Sequence, residues 1–188
     1  AAGVSALVID TRVTHSLVSG EYAARRGECE AAARLLGVPA LGAVTDLGVL
    51  SRLTDPLLRR RARHVITDSA RARAIAAVLQ SRGAEVGTAK REIYPFIGKL
   101  LVEGHASLRD DFEVSWREAD VTVETAVTAG AYGAKMIGGG FGGSVLALVP
   151  TAKVGTVRTA VTRTFTARGW VSPEFLDAVP SPPARQLF

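Results

Sequence analysis

Two spacings of apolar residues divide the chain. Val4–Ile9 is an apolar run interrupted only by Ser5, and Thr11–Val18 continues more loosely with Val13, His15 and Leu17 on one parity. Period-two patterning of this kind predicts strand, either one long bent strand or a pair. After Ser19-Gly20 the spacing changes. Tyr22, Cys29, Ala33 and Leu36 share one side of a helix that starts at Glu21 and stops at Gly37, a residue suited to the left-handed position after a helix. Gly27 within that helix costs ~1 kcal/mol relative to alanine, which packing must offset.

Asp46–Leu53 is a short amphipathic turn or helix. Asp55-Pro56 then supplies an N-cap with proline at the first helical position. Leu58, Ala62, Val65, Ala72, Ile75 or Ala76, and Leu79 recur at three-to-four spacing up to Gly83, with arginines on the other face. Thr67-Asp68-Ser69 marks a place where this helix is expected to break, since these side chains compete for the backbone. Gly83–Arg91 reads as a loop, and Tyr94–Phe112 as a helix through Ile97, Leu100, Leu101 and Leu108. Gly104 in its middle predicts close approach of another backbone. Ser115–Ala129 is a further helix closed by Gly130.

From Ala134 the chain reads strand, glycine loop, strand, with the second strand ended by Pro150. A last helix carries Val154, Val157, Val161 and Phe165 up to Gly169. Glu174–Val179 is a closing strand, followed by Ser181-Pro182-Pro183. The order of elements predicts an α+β fold in which helices pack on an antiparallel sheet.

Composition narrows the function classes. Apolar content of 47% with 22% charged residues describes a globular chain, and its apolar runs are too short to span a bilayer. The single cysteine, Cys29, cannot form an intrachain disulfide and reads as a small buried hydrophobe, which suits a cytoplasmic location. The net charge of +5 is mostly arginine, concentrated in Arg59-Arg60-Arg61 and Arg63. Aromatics make up only 6% and none interleaves that cluster, so no nucleic-acid platform is expected and the cluster reads as a solvated helix face. The lone methionine is Met136 and the chain opens directly into an apolar run, so a piece of a longer protein is expected.

The candidate chemistry centres on Gly138, Gly139, Gly140, Phe141, Gly142 and Gly143. Glycines admit a ligand close to the backbone, and successive N–H groups can form a concave anion site. Two familiar motifs fail on context. The spacing Gly138-x-Gly140-x-x-Gly143 matches a dinucleotide fingerprint, but a strand follows where a helix is required. A Walker A loop lacks its lysine before Ser144. His105 has no nucleophile paired to it by motif and reads as a structural histidine. Asp110-Asp111 are adjacent and diverge around a helix, so they read as solvated carboxylates and no metal site is expected.

Several longer motifs occur together. They are Gly20-Glu21-Tyr22 with Arg25-Arg26-x-Glu28-Cys29-Glu30, then Arg61-Ala62-Arg63-His64-Val65, then Glu103-Gly104-His105-Ala106-Ser107-Leu108-Arg109-Asp110-Asp111-Phe112-Glu113, the loop Met136–Ser144, and Pro173-Glu174-Phe175. In this order the chain resembles the carboxy-terminal half of the galactokinases, a branch of the GHMP small-molecule kinases. The resemblance implies a two-domain enzyme with its site in the cleft, in which ATP phosphorylates the anomeric hydroxyl of galactose. It implies that residues 1–20 are terminal strands of an otherwise missing N-terminal domain and that 21–188 form the C-terminal domain. Tyr22 falls where these kinases contact the sugar, and Gly138–Gly143 would border the phosphates and the sugar.

The motifs that hold ATP and Mg²⁺, the catalytic carboxylate and the phosphate-contacting arginine belong to the family's amino-terminal half, so no catalytic residue is expected in this chain. Alone it should be inactive, with that half as its partner in cis or in trans. Two other expectations stand beside this one: a non-catalytic, sugar-sensing relative of these kinases, and a GHMP kinase for another sugar.

Overall fold

The computed structural model describes residues 3–14, 20–81 and 90–179. Its centre is one antiparallel sheet of four strands: β1 (Val4–Asp10), β2 (Gly133–Ile137), β3 (Ser144–Pro150) and β4 (Glu174–Ala178), in the order β2-β3-β1-β4. β2 and β3 are consecutive and joined by the glycine loop. Their register places Ile137 opposite Ser144 and Gly133 opposite Leu148. Alternation decides which face is covered: Val145, Ala147 and Val149 of β3 are fully buried, as are Leu7 and Ile9 of β1.

Helices α3 (Lys90–Asp110), α4 (Arg117–Thr128) and α5 (Val154–Ala167) accompany this sheet. α5 begins after the turn that follows Pro150 and buries Val157, Val161 and Phe165; Val154, predicted with them from spacing, is partly buried. Phe165 meets the edge of Trp170 at 5.1 Å between ring centroids. Against the first core stands a second, smaller one built from α1 (Glu21–Leu36) and α2 (Pro56–Ser81), with Ala32, Leu36, Leu41, Leu53, Ala62 and Ile66 buried. Gly37 closes α1 in the left-handed conformation, and the Asp55 carboxylate accepts from the Leu57 N–H at 2.7 Å to start α2.

Several expectations change. β1 is an inner strand of this sheet, paired with β3 on one side and β4 on the other, so it belongs to this domain and presents no unpaired edge. The boundary at residue 20 therefore does not separate it from residues 21–188. Regular pairing stops at Asp10; Arg12 turns into the left-handed region at φ +62°, residues 11–14 are outside the ladder, and residues 15–19 lie outside the described residues. α2 runs unbroken through Thr67-Asp68-Ser69, because the Thr67 hydroxyl donates back to the Arg63 carbonyl and Asp68 receives Lys135 Nζ at 2.9 Å. Of the predicted loop 83–91, Lys90 and Arg91 already belong to α3, and residues 82–89 lie outside the described residues.

Close backbone approach occurs at Gly98, not at Gly104. A Cβ at Gly98 would sit 2.1 Å from the Tyr132 carbonyl oxygen, and one at Gly133 would sit 2.0 Å from the Gly98 oxygen. α3 and β2 thus touch main chain to main chain. The nearest atoms to a Cβ at Gly104 belong to side chains, those of Asp68 and Lys135.

Candidate functional site

The glycine loop turns β2 into β3 through a run of left-handed conformations: Gly138, Gly140, Gly142 and Gly143 all have positive φ, and so does Phe141 at +61°. For a phenylalanine that backbone is strained unless neighbours enforce it. Here they do. The Phe141 N–H donates to the Val114 carbonyl at 2.8 Å, and a Cβ on Gly140 would lie 2.5 Å from both Cβ and O of Val114. At the far end the Gly143 N–H donates to Val13 O at 2.9 Å. The Gly143 carbonyl accepts from the Thr11 N–H at 3.1 Å and from the Thr11 hydroxyl at 2.6 Å. Trp116 Nε1–H in turn donates to the Thr11 hydroxyl at 3.1 Å. The loop is pinned at its middle and at its far end, while Gly138 and Gly139 stay exposed.

Tyr22 stands beside that exposed part. Its ring edge is 3.7 Å from where a Cβ on Gly139 would be, and the residue is 69% exposed. The sequence placed Tyr22 on the buried side of its helix with Cys29, Ala33 and Leu36; the last three do pack inward, and Tyr22 does not. It lies in the first turn of α1, where the helix has only begun to cover its neighbours. An exposed phenol next to exposed glycine backbone offers a ring face, an O–H and main-chain polar groups in one place.

Behind this surface lies a cluster that sequence reasoning did not bring together. Arg61, read as part of a solvated face, is fully buried. Its Nε donates to Glu28 at 2.6 Å, Nη1 to the Asp111 carbonyl at 2.6 Å, and Nη2 to Glu113 at 2.6 Å. Burial by itself would lower the Arg61 pKa; the hydrogen bonds to Glu28 and Glu113 outweigh it and leave the guanidinium above its ordinary value. Arg25 Nε donates to Phe112 O at 2.7 Å, and its guanidinium lies 5.9 Å from the centre of the Phe141 ring. Arg25 and Glu28, three apart on a helix, were a legible pair; that Arg61 and residues 111–114 complete the cluster was not.

The other candidates resolve into structural roles. The Met136 N–H donates to His105 Nδ1 at 3.3 Å, so the ring proton sits on Nε2 and is shared with Asp120 at 3.0 Å. His105 therefore ties α3 to α4 and to the strand that enters the glycine loop. Asp111 is not solvated; it accepts from Arg63 and from the Ser107 hydroxyl. Since Ser107 spends its proton there, His64 Nδ1–H donates to Ser107 at 3.0 Å, and the His64 ring stacks on Phe112 at 4.5 Å. Cys29 is half-buried and burial pushes its thiol pKa up. A hollow of about 520 Å³ opens along α3 and α4 beside Val102, Arg109 and Glu124, and neither Tyr22 nor the glycine loop lines it. Among the described residues no three His, Cys, Asp or Glu side chains gather as a metal cage.

Residues 74–167, half of the chain, match the family described as GHMP kinases C terminal. The chain belongs to the GHMP kinases. Among curated proteins of this family it is 48% identical over its whole length to a galactokinase of Streptomyces coelicolor, covering 47% of that protein. It is 39% identical over 99% of its length to a galactokinase of Mycobacterium tuberculosis, covering 49% of it. The chain thus spans about half the length of the curated relatives that it matches. A solved structure, that of Lactococcus lactis galactokinase complexed with galactose, superposes with a TM-score of 0.80 at 27% identity, over 93% of this chain and 45% of that one. The α+β fold with an antiparallel sheet is that of a GHMP kinase C-terminal domain.

Proposed function

We propose that this chain is the carboxy-terminal part of a galactokinase, an enzyme that transfers the γ-phosphate of ATP to the anomeric hydroxyl of galactose. The observation that carries the proposal is the exposed Tyr22 ring set against Gly139 of a loop whose backbone is pinned in left-handed conformations, in a chain similar along its whole length to galactokinases. Tyr22 binds and orients a sugar hydroxyl through its phenol. The open backbone of Gly138 and Gly139 lets the sugar and the phosphates approach without a side chain in the way. Phosphoryl transfer needs positioning and charge stabilisation more than covalent chemistry from the protein, and this border of the cleft contributes positioning.

ATP and Mg²⁺ are assigned to an amino-terminal half, which also supplies the base. When bound, Mg²⁺ neutralises phosphate charge. Among the described residues no helix is long and apolar enough to cross a membrane, and we place the enzyme in the cytoplasm with galactose and ATP as its partners.

The test compares the 188-residue chain with a polypeptide that also carries the amino-terminal half. Given ATP, Mg²⁺ and galactose, the longer polypeptide releases galactose 1-phosphate and ADP in equal amounts, and the chain alone releases none above background. Turnover by the chain alone would overturn the division of labour. Failure of the longer polypeptide on galactose, with turnover of another sugar or of none, would overturn the assigned activity.

A further inference from the structure

Arg61 and Glu28, motif residues for which the proposed reaction has no role, meet in the buried cluster behind the loop. We propose that Arg61, with Glu28, Glu113 and Arg25, is a positioning residue that holds the glycine loop and Tyr22 at one fixed spacing. This rests on the reading of Tyr22 and the loop as the sugar side of the site.

The argument follows the hydrogen bonds outward. Arg61 is rooted in α2 and buried, and every nitrogen of its fork has a partner: Glu28, the Asp111 carbonyl and Glu113. Two of those partners lie on the short turn 111–114. Glu113 sits there at φ +56°, a conformation that a non-glycine residue keeps only when its neighbours impose it. Arg25 grips the same turn through Phe112 O at 2.7 Å and Glu113 O at 3.3 Å. The next residue, Val114, receives the Phe141 N–H and fills the space that only a glycine at 140 leaves free.

The turn therefore sets where the loop lies. Because Arg25 follows Tyr22 by less than one helical turn of α1, the same turn also sets where Tyr22 lies. Glu28, at 3.3 Å from Arg25 and 2.6 Å from Arg61, bridges the two cations and joins α1 to α2. A lysine at 61 keeps one charge and loses the planar fork, so it cannot hold both the carbonyl and the two carboxylates.

The experiment measures amide hydrogen exchange by NMR in the 188-residue chain and in Arg61→Lys and Glu113→Gln. We expect the Phe141 amide to exchange at least about tenfold faster in both variants while the Val145, Ala147 and Val149 amides of β3 keep their rates, since local opening can be uncoupled from global unfolding. Unchanged Phe141 exchange would overturn the proposal. So would loss of protection in step with β3, which would make Arg61 a residue of general stability. If Arg61→Lys does not fold, Glu113→Gln alone decides by the same criterion. In the longer polypeptide, Tyr22→Phe and Arg61→Lys should together raise the galactose KM by less than the product of their separate effects, because both act on one contact. A Tyr22→Phe enzyme with unaltered galactose KM removes the sugar reading and leaves the exchange result to judge the positioning role.

Discussion

Tyr22 and His64 show how burial sorts side chains at the residue scale. Tyr22, exposed beside Gly139, has no packing reason to be tyrosine. On the proposed reading, Tyr22→Phe keeps the ring and removes one hydrogen bond to a sugar hydroxyl, costing ~1–3 kcal/mol, or about 5- to 150-fold in binding. The loss should fall on the galactose KM with kcat little changed, if the contact is equally strong in ground and transition states. Steady-state kinetics over galactose concentration checks it.

His64 is the opposite case. Burial, then the nearby cations Lys135 and Arg71, against the pull of Asp68, lower its pKa from 6.5 to about 4. The unfolded chain binds this proton more readily than the folded one, so stability falls as pH drops from about 6.5 toward 4 and changes no further below that. The gap corresponds to roughly 3 kcal/mol. Most of this window lies above the ordinary range of the carboxylates, whose lowered pKa values at Asp68, Asp110 and Asp120 act only in stronger acid. Urea titrations at pH 7.5, 6, 5 and 4.5 should show the slope, and His64→Gln should flatten it. An equal slope in that variant would assign the proton elsewhere.

At the scale of elements, the crossing of α3 over β2 is the tightest joint. A methyl group at Gly98 meets the Tyr132 carbonyl well inside contact distance, so helix and strand must separate. Gly98→Ala should destabilise by about 1–3 kcal/mol or more. At about 2–4 °C per kcal/mol for a chain of this size, the Tm falls by several degrees, readable by calorimetry. Gly27→Ala is the control, because nothing lies within 4 Å of its missing Cβ.

Signals carried within a few residues were legible in the chain. Asp55-Pro56 started α2, Gly37 closed α1, and the short runs on either side of the glycines, the second apolar and ended by Pro150, yielded β2 and β3. Of the candidate site, the glycine loop and Tyr22 were legible as residues, but their closeness was not. What escaped depended on partners far away in sequence. Asp68 steadies an unbroken α2 because Lys135 reaches it, and Arg61 lies inside because Glu28 and Glu113 converge on it. Helical period tells which way a side chain points; it does not tell that a charge pointing inward will find two carboxylates. Gly98 was passed over for Gly104 for the same reason, since only the position of Tyr132 distinguishes them.

Across the whole molecule, the sheet ties the two ends of the described chain together. β1 lies between β3 and β4, with Val4 opposite Pro150 and Ala6 opposite Ala178. Such an arrangement has a consequence for the way the domain is made. β1 is synthesised before α1, α2, α3 and α4, and its partners come only after all of them. Until then a strand carrying Leu7 and Ile9, destined for complete burial, waits for β3 and β4. Pairings between such distant residues slow folding, because loop closure must be completed before the contact stabilises anything. The helical layer can form early from local contacts, and the sheet closes last. An unpartnered apolar strand during that interval is a target for wrong pairing with another chain. The vulnerability that this segment lacks in the finished domain is thus moved to the time of its synthesis, where a holding chaperone, more than any surface mutation, would raise the yield.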